Sequence, residues 1–210
     1  MVTVIFDFNG IIADANYQNI LKTLTLTEKI SALRIFATIK KDEEAKNAFN
    51  EYKKANISSR DLESVIAKSC PKSADSVRKL LYQYAECFEI NSGVINSIKD
   101  LKKSGIQLLL MADVTPEIEQ MLLNFNFDKL FDGLILSTKT KVLKPNPKLY
   151  EYVIKKYDLK PSQTIMIDGK KKSLEMAEYF DINTFKCKNS QDAYCLMQEL
   201  VPTIDLFRTL

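Results

Sequence analysis

The strongest constraint on this chain is a series of short apolar runs, each stopped by a polar side chain and separated from the next by a stretch of helical pattern. Thr3-Val4-Ile5-Phe6 stops at Asp7, and the run within 105–112 stops at Asp113. A charge-rich helical stretch from Ser97 to Ser104 precedes that second run, and Thr115-Pro116-Glu117 follows it with a capping threonine and a proline suited to a first helical turn. Gly133 to Leu136, Thr164 to Ile167 and Ile182 to Phe185 are runs of the same kind, with helical patterns over 147–157 and 171–180. Apolar runs that do not alternate suit strands covered on both faces. Such strands, spaced by helices, predict an α/β fold with a parallel, doubly wound sheet.

The pattern changes between residues 14 and 88. No strand is evident there, and Ile30, Leu33, Phe36 and Ala37 recur at helical spacing, which predicts an all-helical insertion after the first strand. The length agrees, because 210 residues exceed a typical domain of about 100–150 but fall short of two. The expected division is a core of residues 1–13 and 89–210 with a helical unit of 14–88. With 46% apolar residues, 27% charged residues and a net charge of +3, the chain can bury a core and lacks the signature of disorder. Residues 15–88 carry 13 basic and 9 acidic side chains, a local excess that could attract an anion or merely solvate a helical surface. The overall balance is too even to argue for nucleic acid. No apolar run reaches membrane-spanning length, no secretory leader is evident, and four dispersed cysteines with no histidine suggest reduced thiols, so a cytoplasmic location is expected with neither membrane nor nucleic-acid partner.

In an open parallel sheet, sites form beyond the carboxyl ends of the strands. The polar residues there are Asp7, Asp113 and Asp168, with Lys144 in Leu143-Lys144-Pro145-Asn146-Pro147. Two carboxylates at Asp7 and Asp168 with a backbone carbonyl suit a hard cation such as Mg2+, which keeps several waters and needs neither histidine nor cysteine. A free carboxylate oxygen of Asp7 could attack phosphorus, and Lys144 would neutralise the crowded negative charge. Taken singly, each residue has a plainer reading: a strand-terminal aspartate is often a turn or cap residue, and Asp14 and Asp113 are as well suited to structure as to chemistry.

The ordered set resembles the haloacid dehalogenase-like superfamily over nearly the whole chain. Phe6-Asp7-Phe8-Asn9-Gly10-Ile11 resembles its first motif, a strand followed by Asp-x-Asp-Gly-Thr/Val, with Asp7 matching the nucleophile. Ile106 to Glu117 resembles the second, Lys144 to Tyr150 the third, and Ile165-Met166-Ile167-Asp168 the fourth. The resemblance implies a Rossmann-like core, a helical cap over 14–88 that selects substrates, and a magnesium-dependent phosphatase acting on a small phosphorylated molecule through an aspartyl-phosphate. It implies catalytic roles at Asp7, Asn9 and Lys144, a phosphate against Ala112, Asp113 and Lys144, and Mg2+ at Asp7, Asn9 and Asp168.

Three positions depart from that pattern. Asn9 stands where the phosphatases have a second aspartate that protonates the leaving group, so general acid–base catalysis, typically worth about 10²–10⁴ in rate, is expected to be missing. Ala112 replaces a hydroxyl residue that hydrogen-bonds the phosphoryl group, with Thr115 three residues further on as a substitute, and Gly169 replaces a second acidic residue that supports the metal. Three functions follow: a phosphatase with weak or atypical activity, whose missing acid could come from Glu28, Asp42, Glu43, Glu44, Asp61 or Glu63; a metal-independent dehalogenase using a cation such as Arg34; or a catalytically silent protein that binds a phosphorylated ligand or a protein partner.

Overall fold

The computed structural model describes residues 1–204. Five parallel strands make the main sheet: β1 (Thr3–Phe6), β4 (Gln107–Ala112), β5 (Gly133–Leu136), β6 (Thr164–Asp168) and β7 (Asn183–Lys186), in the order β5-β4-β1-β6-β7. Successive side chains on a strand point to opposite faces, and here each face meets helices. Val4, Phe6, Leu108, Leu110, Ile165 and Ile167 enter one apolar cluster, while Ile5, Leu109, Met111, Ile135 and Met166 enter another. This two-sided burial explains why the runs do not alternate in sequence.

The helices of this part are α6 (Ser92–Lys103), α7 (Pro116–Asn124), α8 (Phe127–Leu130), α9 (Ser137–Thr140), α10 (Pro147–Lys156), α11 (Lys171–Tyr179) and α12 (Ser190–Thr203). Local chemistry sets several of their starts. Thr115 caps α7 with Pro116 in its first turn, and Asn146 caps α10 with Pro147 in the same place. Among the described residues, no helix is long and apolar enough to cross a membrane.

Between β1 and α6 lie α1 (Tyr17–Thr23), α2 (Leu26–Lys41), α3 (Glu43–Lys53), α4 (Ser59–Ser69) and α5 (Val77–Glu86). Capping boxes start α2 at Thr25/Glu28 and α4 at Ser58/Asp61. Ile35, Leu62, Ile66, Val77 and Leu80 give these helices an apolar cluster of their own.

Two expectations change here. The segment expected to be wholly helical begins and ends in strand, because β2 (Ala13–Ala15) pairs antiparallel with β3 (Phe88–Ile90), Ala15 opposite Phe88. Three-residue strands leave too little pattern to read. The helix carrying Ile30, Leu33 and Phe36 forms, but those residues are 41%, 66% and 42% exposed, and the buried face is Ser31, Ala32 and Ile35. Small residues on that face let α2 pack closely against its neighbours.

Candidate active site

The register fixes the site. Phe6 lies opposite both Leu110 and Ile167, so the carboxyl ends of β1, β4 and β6 finish side by side and present Asp7, Ala112-Asp113 and Asp168 at one edge. Gly10, at φ +81°, turns the chain sharply after β1, and its N–H donates to the Ala13 carbonyl at 2.8 Å.

Lys144 joins the two strand ends. Its Nζ lies 2.9 Å from Asp7 Oδ1 and 2.5 Å from Asp168 Oδ2, with all three side chains buried. Burial would raise the Asp7 pKa, but the Lys144 and Lys170 ammonium groups outweigh it and hold the carboxyl below the usual carboxylate range. Burial and the charge of Asp7 push Asp168 upward, and Lys144 offsets only part of this. Burial works against the Lys144 charge, yet Asp7 and Asp168 raise its pKa, so it stays protonated.

Asp168, expected as a metal ligand, orients Lys144 through Oδ2, while its Oδ1 accepts the Lys170 N–H at 2.8 Å, and it lies next to the cavity lining rather than in it. Asp113, expected beside the phosphate, lines the cavity, and its Oδ1 accepts the Lys144 backbone N–H at 3.0 Å. Asp14 accepts the Ser190 N–H and hydroxyl, tying β2 to the start of α12. At Gly169 a Cβ would sit 3.1 Å from the Cys187 carbonyl oxygen, a tight contact that the backbone would have to relieve by a few tenths of an ångström.

A cavity of about 160 Å³ opens over Asp7. Asn9, Ala112, Asp113, Thr115 and Lys170 line its core side. Ala112 brings only a methyl group, whereas Thr115 brings a hydroxyl at the start of α7, where helix N–H groups favour an anion. From the opposite side come Phe49 and Lys53 of α3, Tyr84 of α5, and Phe88. Sequence reasoning missed these four. Their one signal is the i,i+4 pair Phe49/Lys53, whose ammonium sits 5.4 Å from the ring centroid, and nothing in the sequence points that pair at Asp7. Burial lowers the Lys53 pKa, nearby Asp113 opposes this, and Lys170 adds to it.

The six acidic residues of the helical segment expected as possible acids are engaged elsewhere. Glu28 pairs with Lys79, Asp42 accepts from the Ser69 hydroxyl, Glu43 meets Lys46, Glu44 meets Lys68, Asp61 caps α4 and Glu63 meets Arg78. None lines the cavity, and neither does Arg34, which is exposed on α2. Among the described residues, no three His, Cys, Asp or Glu side chains are grouped as a metal cluster. The oxygen groups that line the cavity are the Asp7 and Asp113 carboxylates, Asn9 and the Thr115 hydroxyl, a sparse set that suits a magnesium ion carrying waters and a phosphate.

The model of the haloacid dehalogenase-like hydrolase family matches residues 4–186. The chain belongs to that family. A sesquiterpene phosphatase of Aspergillus oryzae is 26% identical over 98 residues, 46% of this chain and 50% of that protein. A phosphorylated carbohydrates phosphatase of Thermotoga maritima is 27% identical over 97 residues, 45% of this chain and 44% of that one. The chain thus spans about half the length of the curated relatives it matches. Among solved structures, a haloacid dehalogenase-like enzyme of Bacteroides thetaiotaomicron superposes with a TM-score of 0.75 at 17% identity, covering 93% of this chain and 98% of the other. That enzyme has also been solved with magnesium and inorganic phosphate, TM-score 0.70 and 16% identity, covering 89% of this chain and 93% of that one. At such identities the likeness establishes the haloacid dehalogenase-like fold.

Proposed function

We propose that the chain is a phosphatase of small phosphomonoesters, with Asp7 as nucleophile. The observation that carries this reading is an ionised carboxylate at the floor of a cavity whose other charged side chains, apart from Asp113, are the ammonium groups of Lys53 and Lys170. A dianionic phosphate would be drawn in by the lysines and meet the carboxylate at the bottom. Asp7 would attack phosphorus, the ester P–O bond would break, and water would then hydrolyse the aspartyl-phosphate. Lys144 holds Asp7 ionised and aimed, Asp168 and Asp113 hold Lys144, and the Thr115 hydroxyl supplies the phosphoryl donor that Ala112 lacks. Asp7 and the Asn9 carbonyl are the groups that would hold Mg2+, which would supply charge neutralisation at the phosphoryl oxygens. The helical segment, residues 14–88, acts in this reading as a cap over the core of 1–13 and 89–210. The named activities of both curated relatives support it, and four unpaired thiols fit a cytoplasmic location.

Among the described residues, the one carboxyl lining the cavity besides Asp7 is Asp113, which is engaged with the Lys144 backbone N–H, and Asn9 has no acidic proton to give. The enzyme is therefore expected to favour esters of acidic alcohols, which depart without a proton. A second reading, a silent protein that binds a phosphorylated ligand or a protein partner, is favoured by the methyl of Ala112 in the cavity wall and the tight packing at Gly169. Steady-state hydrolysis of an aryl phosphate separates the two. Turnover that depends on magnesium and disappears in Asp7→Asn supports the phosphatase, whereas turnover only in Asn9→Asp supports the silent protein.

A further inference from the structure

The helical segment contains a second cavity of about 120 Å³, walled by residues such as Ile35, Ile39, Leu62, Val77 and Leu80 and by no charged side chain. Phe49 and Tyr84 line this cavity and also the one over Asp7, so two aromatic rings form their common wall. Phe36 and Tyr17, the latter stacked on Tyr84 with ring centroids 6.3 Å apart, also line it and are 42% and 50% exposed, so the cavity reaches the surface beside them. The Lys53 ammonium over the Phe49 ring marks where the charged half ends and the apolar half begins.

A sugar phosphate would bring hydroxyl groups that lose water on entry and need new partners. The helical segment offers them only the Lys53 ammonium and the Tyr84 hydroxyl, and none of its acidic side chains lines the cavity. A hydrocarbon needs no partner, and its burial is favourable in proportion to area. We propose that the group esterified to the phosphate is apolar, an alkyl, alkenyl or aryl chain that passes Phe49 and Tyr84 into the cavity of the helical segment. This rests on the phosphate end lying at Asp7. The apolar space approaches that of an engineered cavity of about 150 Å³ that accepts benzene, which gives room for roughly four to six carbons.

The test is calorimetric titration of the full chain carrying Asp7→Asn, which does not turn over, with monoalkyl phosphates from methyl to octyl and with glucose 6-phosphate. Affinity should rise about three- to fourfold per methylene. The rise should stop at roughly four to six carbons, the room estimated for the cavity. Val77→Phe or Ile39→Phe, added separately, should bring the plateau to a shorter chain; Ile39 is only partly buried and so serves if Val77→Phe does not fold. Affinity independent of chain length, tighter binding of the sugar phosphate, or an unmoved plateau in the folded variants overturns the proposal. Hydrolysis by the wild-type protein is a separate readout. Chain-length-dependent binding without any turnover retains the apolar pocket and removes the phosphatase, while turnover with flat affinities does the reverse.

Discussion

At the scale of single residues, the account turns on one lysine shared by two buried carboxylates. Lys144→Met would leave Asp7 and Asp168 without a counter-charge, a loss of about 3–5 kcal/mol. In a chain of this size the melting temperature should fall by about 10 °C. Adding Asp168→Asn should restore part of that stability and none of the activity, which thermal melts with parallel assays would show. Asn9→Asp should raise turnover of alkyl phosphates by about 10²–10⁴ and of aryl phosphates far less, because only a poor leaving group needs the proton. Lys53 gives a pH signature. Burial makes its charged form costly, so it loses its proton below the ordinary lysine value, and KM should climb as pH rises through that lowered point. Lys53→Arg should abolish the climb, since a guanidinium stays protonated there. Lys53→Met should raise KM below that pH and converge with the wild type above it, without loss of melting temperature. Asp7 and Lys144 were legible in the sequence because a strand end and a Lys-Pro-x-Pro turn announce them. Lys53 was not, because its place depends on how α3 lies across the core, which no local pattern encodes.

At the scale of elements, two side-chain hydrogen bonds tie α3 to helices of the core. The Tyr52 hydroxyl donates to Glu117 Oε1 on α7 at 2.5 Å, and the Ser137 hydroxyl at the start of α9 donates to the Lys53 carbonyl at 2.8 Å. These two bonds hold Phe49 and Lys53 over Asp7. Tyr52→Phe removes one of them and leaves a largely buried carboxylate short of a donor, since Glu117 Oε2 has no partner either. It should cost about 1.5–3 kcal/mol and raise KM more than it lowers kcat, because it loosens the position of Lys53 and leaves Asp7 in place. Comparing kcat and KM separately with a melt checks this. The strands of the main sheet were readable because burial on both faces writes an unbroken apolar run. The β2–β3 pair was not, since three residues of Ala-Asp-Ala and Phe-Glu-Ile resemble the flanks of any helix. The period of α2 was readable and its buried face was not: the larger apolar residues lie outward, beside the mouth of the apolar cavity.

At the scale of the whole molecule, two halves with different chemistry meet over one carboxylate. The sheet supplies the fixed charges, through strand ends whose alignment is a consequence of parallel pairing, and the helical segment supplies Lys53 and aromatic walls. On the proposed reading, phosphate chemistry would be set by the part whose sequence is most legible, and substrate choice by the part whose packing is least so. Removal of magnesium by a chelator should lower turnover without lowering the melting temperature, because Lys144 already compensates the carboxylates at the base of the site. The central claim is that Asp7 attacks phosphorus. Acid quenching of the wild-type protein during turnover of an aryl phosphate, followed by mass spectrometry of its peptides, tests it most directly. The account predicts one added phosphoryl group on the peptide containing Asp7, absent from Asp7→Asn; turnover with no such adduct in the wild-type protein, or an adduct that persists in the variant, would contradict it.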